Sequence, residues 1–218
     1  MTSKTSYARQ AGLAAALLAA SSLMAACAPI LLGGAFFGGT LVASDRRTTG
    51  AQIEDQTIEV KAANAIAALL GDRGHVIVTS YNRMVLLTGE VPTEADKATV
   101  EKAVAQQENV RSTVNDLAVM PTSSLSSRSN DSILTGKVKA AFVDTKDLSV
   151  NTIKVVTERG MVYLMGLVTE VEARRAVEVT RSVGGVQKVV RVFEIISPAA
   201  ATSAPPSAPA SAPAAARP

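Results

Sequence analysis

Met84-Val85-Leu86-Leu87-Thr88-Gly89-Glu90-Val91 recurs 77 positions further along the chain as Met161-Val162-Tyr163-Leu164-Met165-Gly166-Leu167-Val168. The sequences on either side of these two stretches follow the same pattern. Self-similarity at a fixed spacing indicates a duplicated structural unit. The 218-residue chain is therefore predicted to contain two copies of one small domain.

A helix is predicted at the start of each copy. With a shift of 76 positions, the apolar residues of the two segments coincide and recur at i, i+4, i+7 and i+8. This spacing is typical of one face of an amphipathic helix. The positions are Ile58, Ala62, Ala65 and Ile66 in the first copy and Leu134, Val138, Ala141 and Phe142 in the second.

The rest of each copy alternates strands with a second helix. Hairpins are predicted to turn at Tyr81-Asn82 and at Arg159-Gly160. Helices follow from Thr93 and from Glu170, and a final strand rich in β-branched residues closes each copy. Each unit is thus α-β-β-α-β, with two helices on one face of a three-stranded sheet, which is the α+β class. Because each core is small, the two units are expected to pack together.

The N-terminal segment has the pattern of a secretory signal. Lys4 and Arg9 precede a short apolar run, and small residues lead to the one cysteine of the chain, Cys27. The stretch Leu23-Met24-Ala25-Ala26-Cys27 resembles a lipobox, the signal cleaved before the diacylated cysteine of bacterial lipoproteins. The resemblance implies that Cys27 is the lipid anchor, and Ala28 in place of aspartate implies the outer membrane. The alternative is ordinary secretion with an incidental cysteine in the leader.

Composition sets the boundaries between the predicted segments. The tether contains apolar residues but is too short and too rich in glycine to span a bilayer, so it lies either against the headgroups or on the domain. The predicted segments are a signal peptide at 1–26, a lipidated Gly-rich tether at 27–52, domain 1 at 53–120, a linker at 121–128, domain 2 at 129–197 and a disordered Ala/Pro/Ser tail at 198–218.

Several function classes find little support in the sequence. Aromatic residues make up 3% of the chain and tryptophan is absent, which argues against base-stacking surfaces. Two of the basic residues that give a net charge of +3 lie in the leader, so nucleic acid is not an expected partner. His75 is the one histidine and no cluster of metal-ligating residues accompanies it. We therefore expect a binding protein with no catalytic residues, no metal site and no cofactor, rather than an enzyme.

Specific motifs connect the repeat to a known family. The steps Leu86-Leu87-Thr88-Gly89 and Tyr163-Leu164-Met165-Gly166 and the turn Gly184-Gly185-Val186 resemble those of the BON domain. Two such copies behind a lipobox resemble the dual-BON-domain outer-membrane lipoproteins of Gram-negative bacteria. The resemblance implies binding of anionic phospholipid, such as phosphatidylglycerol or cardiolipin, through the first helix of the second copy. Ile133 stands where this family has tryptophan, so any insertion should be weaker.

Charge supports the same copy independently. Residues 53–120 hold six basic and ten acidic residues, whereas 129–196 hold ten basic and eight acidic residues. Only the second copy should approach an anionic surface easily. The helical period places a partly apolar, cationic face outward, with lysines at its margins. The predicted phospholipid-binding residues are Ile133, Gly136, Lys137, Lys139, Ala140, Val143 and Lys146.

Two alternatives stay open for this face. It is either exposed to lipid or buried against the first copy, whose matching positions are mostly small. The function expected first is a periplasm-facing outer-membrane lipoprotein that binds anionic phospholipid and supports envelope integrity. The alternative is an adaptor that uses the same helix or the tail to dock on an outer-membrane assembly or division machine.

Overall fold

The computed structural model describes residues 45–145 and 148–202 of the chain. Each of the two copies has the predicted order α-β-β-α-β, and a short helix, Pro198–Thr202, begins the segment that was predicted as a disordered tail. The helices are α1 (Thr49–Leu70), α2 (Glu94–Ala105), α3 (Leu125–Val143), α4 (Glu170–Ser182) and α5 (Pro198–Thr202). The strands are β1 (His75–Tyr81), β2 (Met84–Val91), β3 (Ser112–Asn115), β4 (Ala118–Val119), β5 (Ile153–Glu158), β6 (Met161–Val168) and β7 (Lys188–Ile195), and short 3₁₀ turns cover Gly71–Arg73 and Val150–Thr152.

The two sheets have the same topology. In domain 1, β1 and β2 form an antiparallel hairpin, and β3 and β4 both run parallel to β2, along successive parts of it. In domain 2, β5 and β6 form the hairpin and β7 runs parallel to β6 over its whole length. The predicted α+β class is confirmed, with the third strand of domain 1 divided into two short segments.

The first helix of each copy begins earlier than the predicted domain boundary. α1 is capped by Thr48, whose hydroxyl accepts from the Ala51 amide, and α3 is capped by Ser124, whose hydroxyl accepts from the Ser127 amide. Residues 49–52, predicted as tether, and 125–128, predicted as linker, are therefore helical. Serine and threonine satisfy the free amides of the first turn, and such caps are hard to locate when several serines follow one another.

Gly89 and Gly166 hold the same place in the two hairpins. A Cβ atom at Gly89 would overlap the carbonyl oxygen of His75 on the neighbouring strand, and a Cβ at Gly166 would overlap that of Thr152. Gly89 also has a positive φ of 111°. The close approach of two backbones explains why the repeated motif has glycine at this step.

Two buried aspartates fasten the first helix of each copy to its hairpin turn. Asp55 on α1 accepts from the amides of Asn82 and Arg83 at 2.8 and 2.7 Å. Asp131 on α3, 76 positions later, accepts from the amides of Arg159 and Gly160 at 2.9 and 2.8 Å. Turn amides in left-handed conformations have few other partners, so a carboxylate on the inner face of the helix fixes helix and turn together.

The helices of each domain cover one face of its sheet, and the opposite faces of the two sheets pack on each other. A shared apolar cluster lies between them. The Tyr163 hydroxyl donates to Asp116 at 2.8 Å across this seam, and the Tyr81 hydroxyl donates to the Thr152 carbonyl at 3.3 Å. The expectation that the two small units pack together is confirmed. The buried members of the cluster are Tyr81, Leu86, Tyr163, Met165 and Val192.

Residues directly before α1 also join the two domains. Arg46 donates to the Leu167 carbonyl at 2.8 Å and makes a bidentate ion pair with Glu172, at 2.8 and 2.7 Å. The hydrogen bond from Arg46 lowers the pKa of Glu172 to about 2. This part of the predicted tether therefore belongs to the folded body.

Two carboxylates are buried at one end of the seam. Glu90 accepts from the amide and hydroxyl of Ser123, each at 3.2 Å, and lies 3.9 Å from the Arg159 guanidinium. Glu158 is only 2% exposed. Burial raises the pKa of Glu158 to about 7, and the negative charges of Glu90 and Asp131 add to this effect.

Candidate functional site

The candidate site is the outer face of α3. Leu134, Val138 and Phe142 point into the core, as the periodicity predicts. The opposite face carries two large apolar side chains that are mostly exposed, Ile133 at 57% and Val143 at 69%. Gly136, Lys137, Lys139 and Ala140 are exposed between them, whereas Lys146 lies outside the described residues.

This exposure excludes one of the two alternatives that the sequence left open. The face of α3 is not buried against domain 1, because domain 1 meets domain 2 through the sheets rather than the helices. The matching face of α1 is also exposed, with Val60 at 62%. Both first helices therefore lie on the outside of the molecule.

The charges on α3 are all of one sign at its surface. Asp131 is the single acidic residue in the helix and it is buried against the hairpin turn. Within the described part of the chain, no carboxylate lies within 4 Å of Lys137 or Lys139. Both ammonium groups are therefore available to an external anion.

Gly136 is a further feature of this face. Glycine in a helix interior destabilises it by about 1 kcal/mol relative to alanine. A Cβ atom at Gly136 would meet nothing within 4 Å, so packing inside the domain does not require glycine here. The residue leaves a shallow gap on the exposed surface between Ile133 and Lys137.

A groove of about 590 Å³ adjoins the N-terminal half of this face. Ile133 and Lys137 line it from the helix, Arg159 and Gly160 from the hairpin turn, and a glycine turn from the loop after α4. The groove joins a cationic wall to an apolar edge. Its lining is Ser127, Asn130, Asp131, Ile133, Leu134, Lys137, Arg159, Gly160, Gly184, Gly185 and Gln187.

The corresponding groove of domain 1 is smaller and has a different charge. It measures about 390 Å³ and contains Glu54, which accepts from the Asn109 side chain at 2.9 Å. On the neighbouring turn of α1, Lys61 pairs with Glu108 at 3.3 Å. The equivalent positions in domain 2 are Lys137 and Gly184. Lys137 therefore has no carboxylate at the position that corresponds to Glu108.

The sequence predicted which residues form the outward face of α3, left open whether that face is exposed, and did not identify the groove. Arg159 and Gln187 join the groove only through the packing of a turn and a loop against α3, next to Asn130 of that helix. The sequence did contain one indication of the part of the groove formed by Asp131 and the hairpin turn. Asp131 recurs at the position of Asp55 on the inner stripe of the helix, where a charged residue needs a buried partner.

Two tandem α+β units with exposed first helices define the class of protein. Residues 54–121 and 130–197 both match the model of the BON domain, and the chain belongs to this family. Over 158 residues it is 40% identical to the outer membrane lipoprotein DolP of Haemophilus influenzae, covering 71% of this chain and 81% of that protein. The predicted family of dual-BON-domain outer-membrane lipoproteins is thereby confirmed, as is the outer-membrane localisation.

Two further matches have lower sequence identity to this chain. The chain is 30% identical over 154 residues to the 21 kDa hemolysin of Actinobacillus pleuropneumoniae, covering 70% of this chain and 79% of that protein. The C-terminal domain of CdsD, the structural protein of the type III secretion system of Chlamydia trachomatis, aligns with a TM-score of 0.28 and 11% identity. That alignment covers 62% of this chain and 96% of the other.

Residues 45–145 and 148–202 include no helix with the length and apolar character needed to pass through a bilayer.

Proposed function

We propose that this outer-membrane lipoprotein binds anionic phospholipid through the exposed face of α3 and acts by binding rather than by catalysis. The observation that carries the proposal is the combination of exposed apolar side chains, free ammonium groups and no exposed acid along one helix. Exposed apolar side chains that lie together, such as Ile133 and Val143, commonly mark a surface that contacts a membrane or another molecule. Both residues suit the boundary between headgroups and acyl chains.

The two lysines suit the phosphate layer above that boundary. Lysine stems lie along apolar surface while the ammonium group stays among charged headgroups. Each basic residue near an anionic surface contributes about 1 kcal/mol. Partial burial of Ile133 and Val143 contributes a similar amount each, which gives about 4 kcal/mol in all.

A contribution of this size corresponds to a dissociation constant of about 1 mM, so the helix alone does not hold the protein at the membrane. We assign that task to Cys27, acylated after removal of residues 1–26. Two or more acyl chains anchor a protein stably, and the tether then keeps the domains near the periplasmic leaflet. Contact through α3 selects acidic lipid within that leaflet, and support of envelope integrity is the role we assign to it.

Flotation with vesicles tests the proposal. The full chain carrying Cys27→Ser cannot be acylated, so any binding must come from the folded body. We expect it to float with phosphatidylglycerol or cardiolipin vesicles at millimolar lipid and to stay behind with phosphatidylcholine vesicles. Lys137→Glu combined with Lys139→Glu should abolish flotation.

Lys61→Glu provides the matched control, because Lys61 holds the position of Lys137 in domain 1 but is already paired. This variant should float as the parent chain does. Equal flotation with neutral vesicles, or equal loss in the domain 1 control, would contradict the assignment to α3.

A further inference from the structure

The third strands of the two domains differ at the outer edge of the sheet. In domain 1 the edge is interrupted, because β3 and β4 contain four and two residues. In domain 2, β7 continues for eight residues and pairs only with β6 within the described residues. An edge strand presents unpaired N–H and C=O groups to any extended chain, and proteins commonly shorten such edges to prevent pairing. Domain 1 has this protection and domain 2 lacks it.

The space between the edge strand and the second helix also differs. In domain 1, the Asn115 side chain donates to the Lys97 carbonyl and to Glu101 on α2, and Leu117 beside it is 2% exposed. These contacts close the space. In domain 2 the same two strand positions hold Arg191 and Phe193, and the space is open.

This open space, which we call the edge groove, has a volume of about 340 Å³. Ala173, Phe193 and Ile195 give it an apolar floor, and Ile195 is 51% exposed. Alternate residues of a strand point to the same face, so Arg191, Phe193 and Ile195 all lie on the side toward α4. The groove therefore runs along β7 on the side of the sheet toward α4.

The edge groove has a basic rim. Arg191 lines it, and Arg174 and Arg181 follow Glu170 at helical spacings of four and eleven residues, on the flank of α4 next to the groove. All three arginines are exposed. Within the described parts of the chain none of them has a carboxylate within 4 Å, whereas Arg175 on the outer flank pairs with Glu178 at 3.5 Å. Glu170 is the one acidic residue in the lining.

We propose that the β7 edge is a docking site for an extended, acidic segment of another protein, which joins the domain 2 sheet as a fourth strand. Its backbone bonds to the free groups of β7, its carboxylates meet Arg191 and Arg174, and a small apolar side chain fills the groove beside Phe193. Strand addition takes affinity from the backbone and specificity from alternate side chains. This surface is distinct from the lipid-binding face of α3.

Two segments of this chain are unsuitable as occupants, the C-terminal segment and a second copy of β7. The C-terminal segment after Thr202 contains prolines at 205, 206, 209, 213 and 218 and no acidic residue, and proline lacks the N–H that a ladder requires. A second copy of β7 is also unsuitable. Arg191 lies near the middle of the strand, so antiparallel self-pairing would bring two guanidinium groups together.

A synthetic peptide tests the proposal on the full-length lipoprotein in detergent. The probe is Glu-Thr-Glu-Thr-Val-Thr-Val-Thr, which, parallel to β7, places its second glutamate beside Arg191 and its valines beside Phe193 and Ile195. Binding is measured by fluorescence anisotropy and located by amide hydrogen exchange. We expect slowed exchange in β7. Arg191→Glu and Arg174→Glu should each weaken binding about tenfold, whereas Arg175→Glu on the same helix should change it less than twofold.

Two modified peptides separate strand addition from simple attraction of charges. A peptide with lysine for glutamate should not bind, and one with alternate N-methylated amides should bind at least tenfold more weakly. Unchanged exchange in β7, equal effects of Arg175→Glu and Arg191→Glu, or full binding of the N-methylated peptide would each overturn the proposal. So would a result in which Arg191→Glu weakens binding to phosphatidylglycerol vesicles but leaves peptide binding unchanged.

Discussion

The two copies differ at the surface far more than in the core. Both keep an aspartate that holds the hairpin turn and a glycine that admits the neighbouring strand. At the surface, Lys61 of the first copy is neutralised by Glu108, and Lys137 of the second faces Gly184. The two copies therefore share the residues that determine the fold, whereas the outer face of the second copy lacks the acidic partner that Lys61 has in the first. Differences between aligned positions of the repeat are the best guide to function in this chain.

The largest effect is expected at the glycines that both copies share. Gly89→Ala forces a Cβ into the His75 carbonyl at a φ that alanine rarely adopts, and should destabilise the protein by about 4 kcal/mol or more. Gly166→Ala meets only the steric conflict and should cost about 2 to 3 kcal/mol. Urea unfolding of both variants measures the difference. A reversed order would show that the left-handed backbone at Gly89 is unimportant.

The aspartates should rank next. Asp55 accepts hydrogen bonds from two turn amides, the Ser80 hydroxyl and Arg47, whereas Asp131 accepts from two turn amides. Asp55→Ala is expected to cost about 3 kcal/mol and Asp131→Ala about 2 kcal/mol. The same unfolding assay gives both values. Asp55→Asn, which keeps one acceptor, should lie between parent and alanine variant.

Lipid affinity should respond to the apolar part of α3 as well as to its charge. Ile133→Trp adds an amphipathic ring that favours the headgroup boundary, and should strengthen binding to phosphatidylglycerol vesicles about tenfold. Thr57→Trp, at the equivalent position of α1, is the control and should have little effect. Vesicle titration of both variants in the unacylated chain measures the contrast. Similar gains in both would show that any exposed tryptophan on a first helix suffices.

The smallest effect is expected at the seam, where Tyr81 ends the first strand of one copy and Glu158 ends that of the other. The pKa of Glu158 is raised from 4.5 to about 7, so the folded state holds its proton more tightly than the unfolded state. Its contribution to stability is complete below pH 4.5 and is lost as the pH rises through 7. Glu158→Gln should therefore stabilise the protein at pH 8 and have no effect at pH 4. Thermal unfolding at the two pH values checks this, and equal shifts at both would contradict it.

The repeat itself made the elements predictable. The inner stripe from Leu134 to Phe142 and its counterpart in domain 1 defined the first helices, and the outward position of Ile133 and Val143 followed from the same period. The first residues of the helices were harder to predict, because a run of serines offers several equivalent caps before α3. The groove and the seam were not predictable, since Arg159 and Glu158 belong to them only once a turn and a sheet have packed against distant segments.

Because the two sheets pack back to back, the helices of the two domains lie on different sides of the molecule. Each pair of helices faces away from the other, so a bilayer that touches α3 leaves α1 and α2 directed toward the aqueous side. Lipid and a dissolved partner therefore need not compete for the same surface. Contact of α3 with lipid and contact of a partner with α1 or α2 can then take place at once, on opposite sides of the paired sheets.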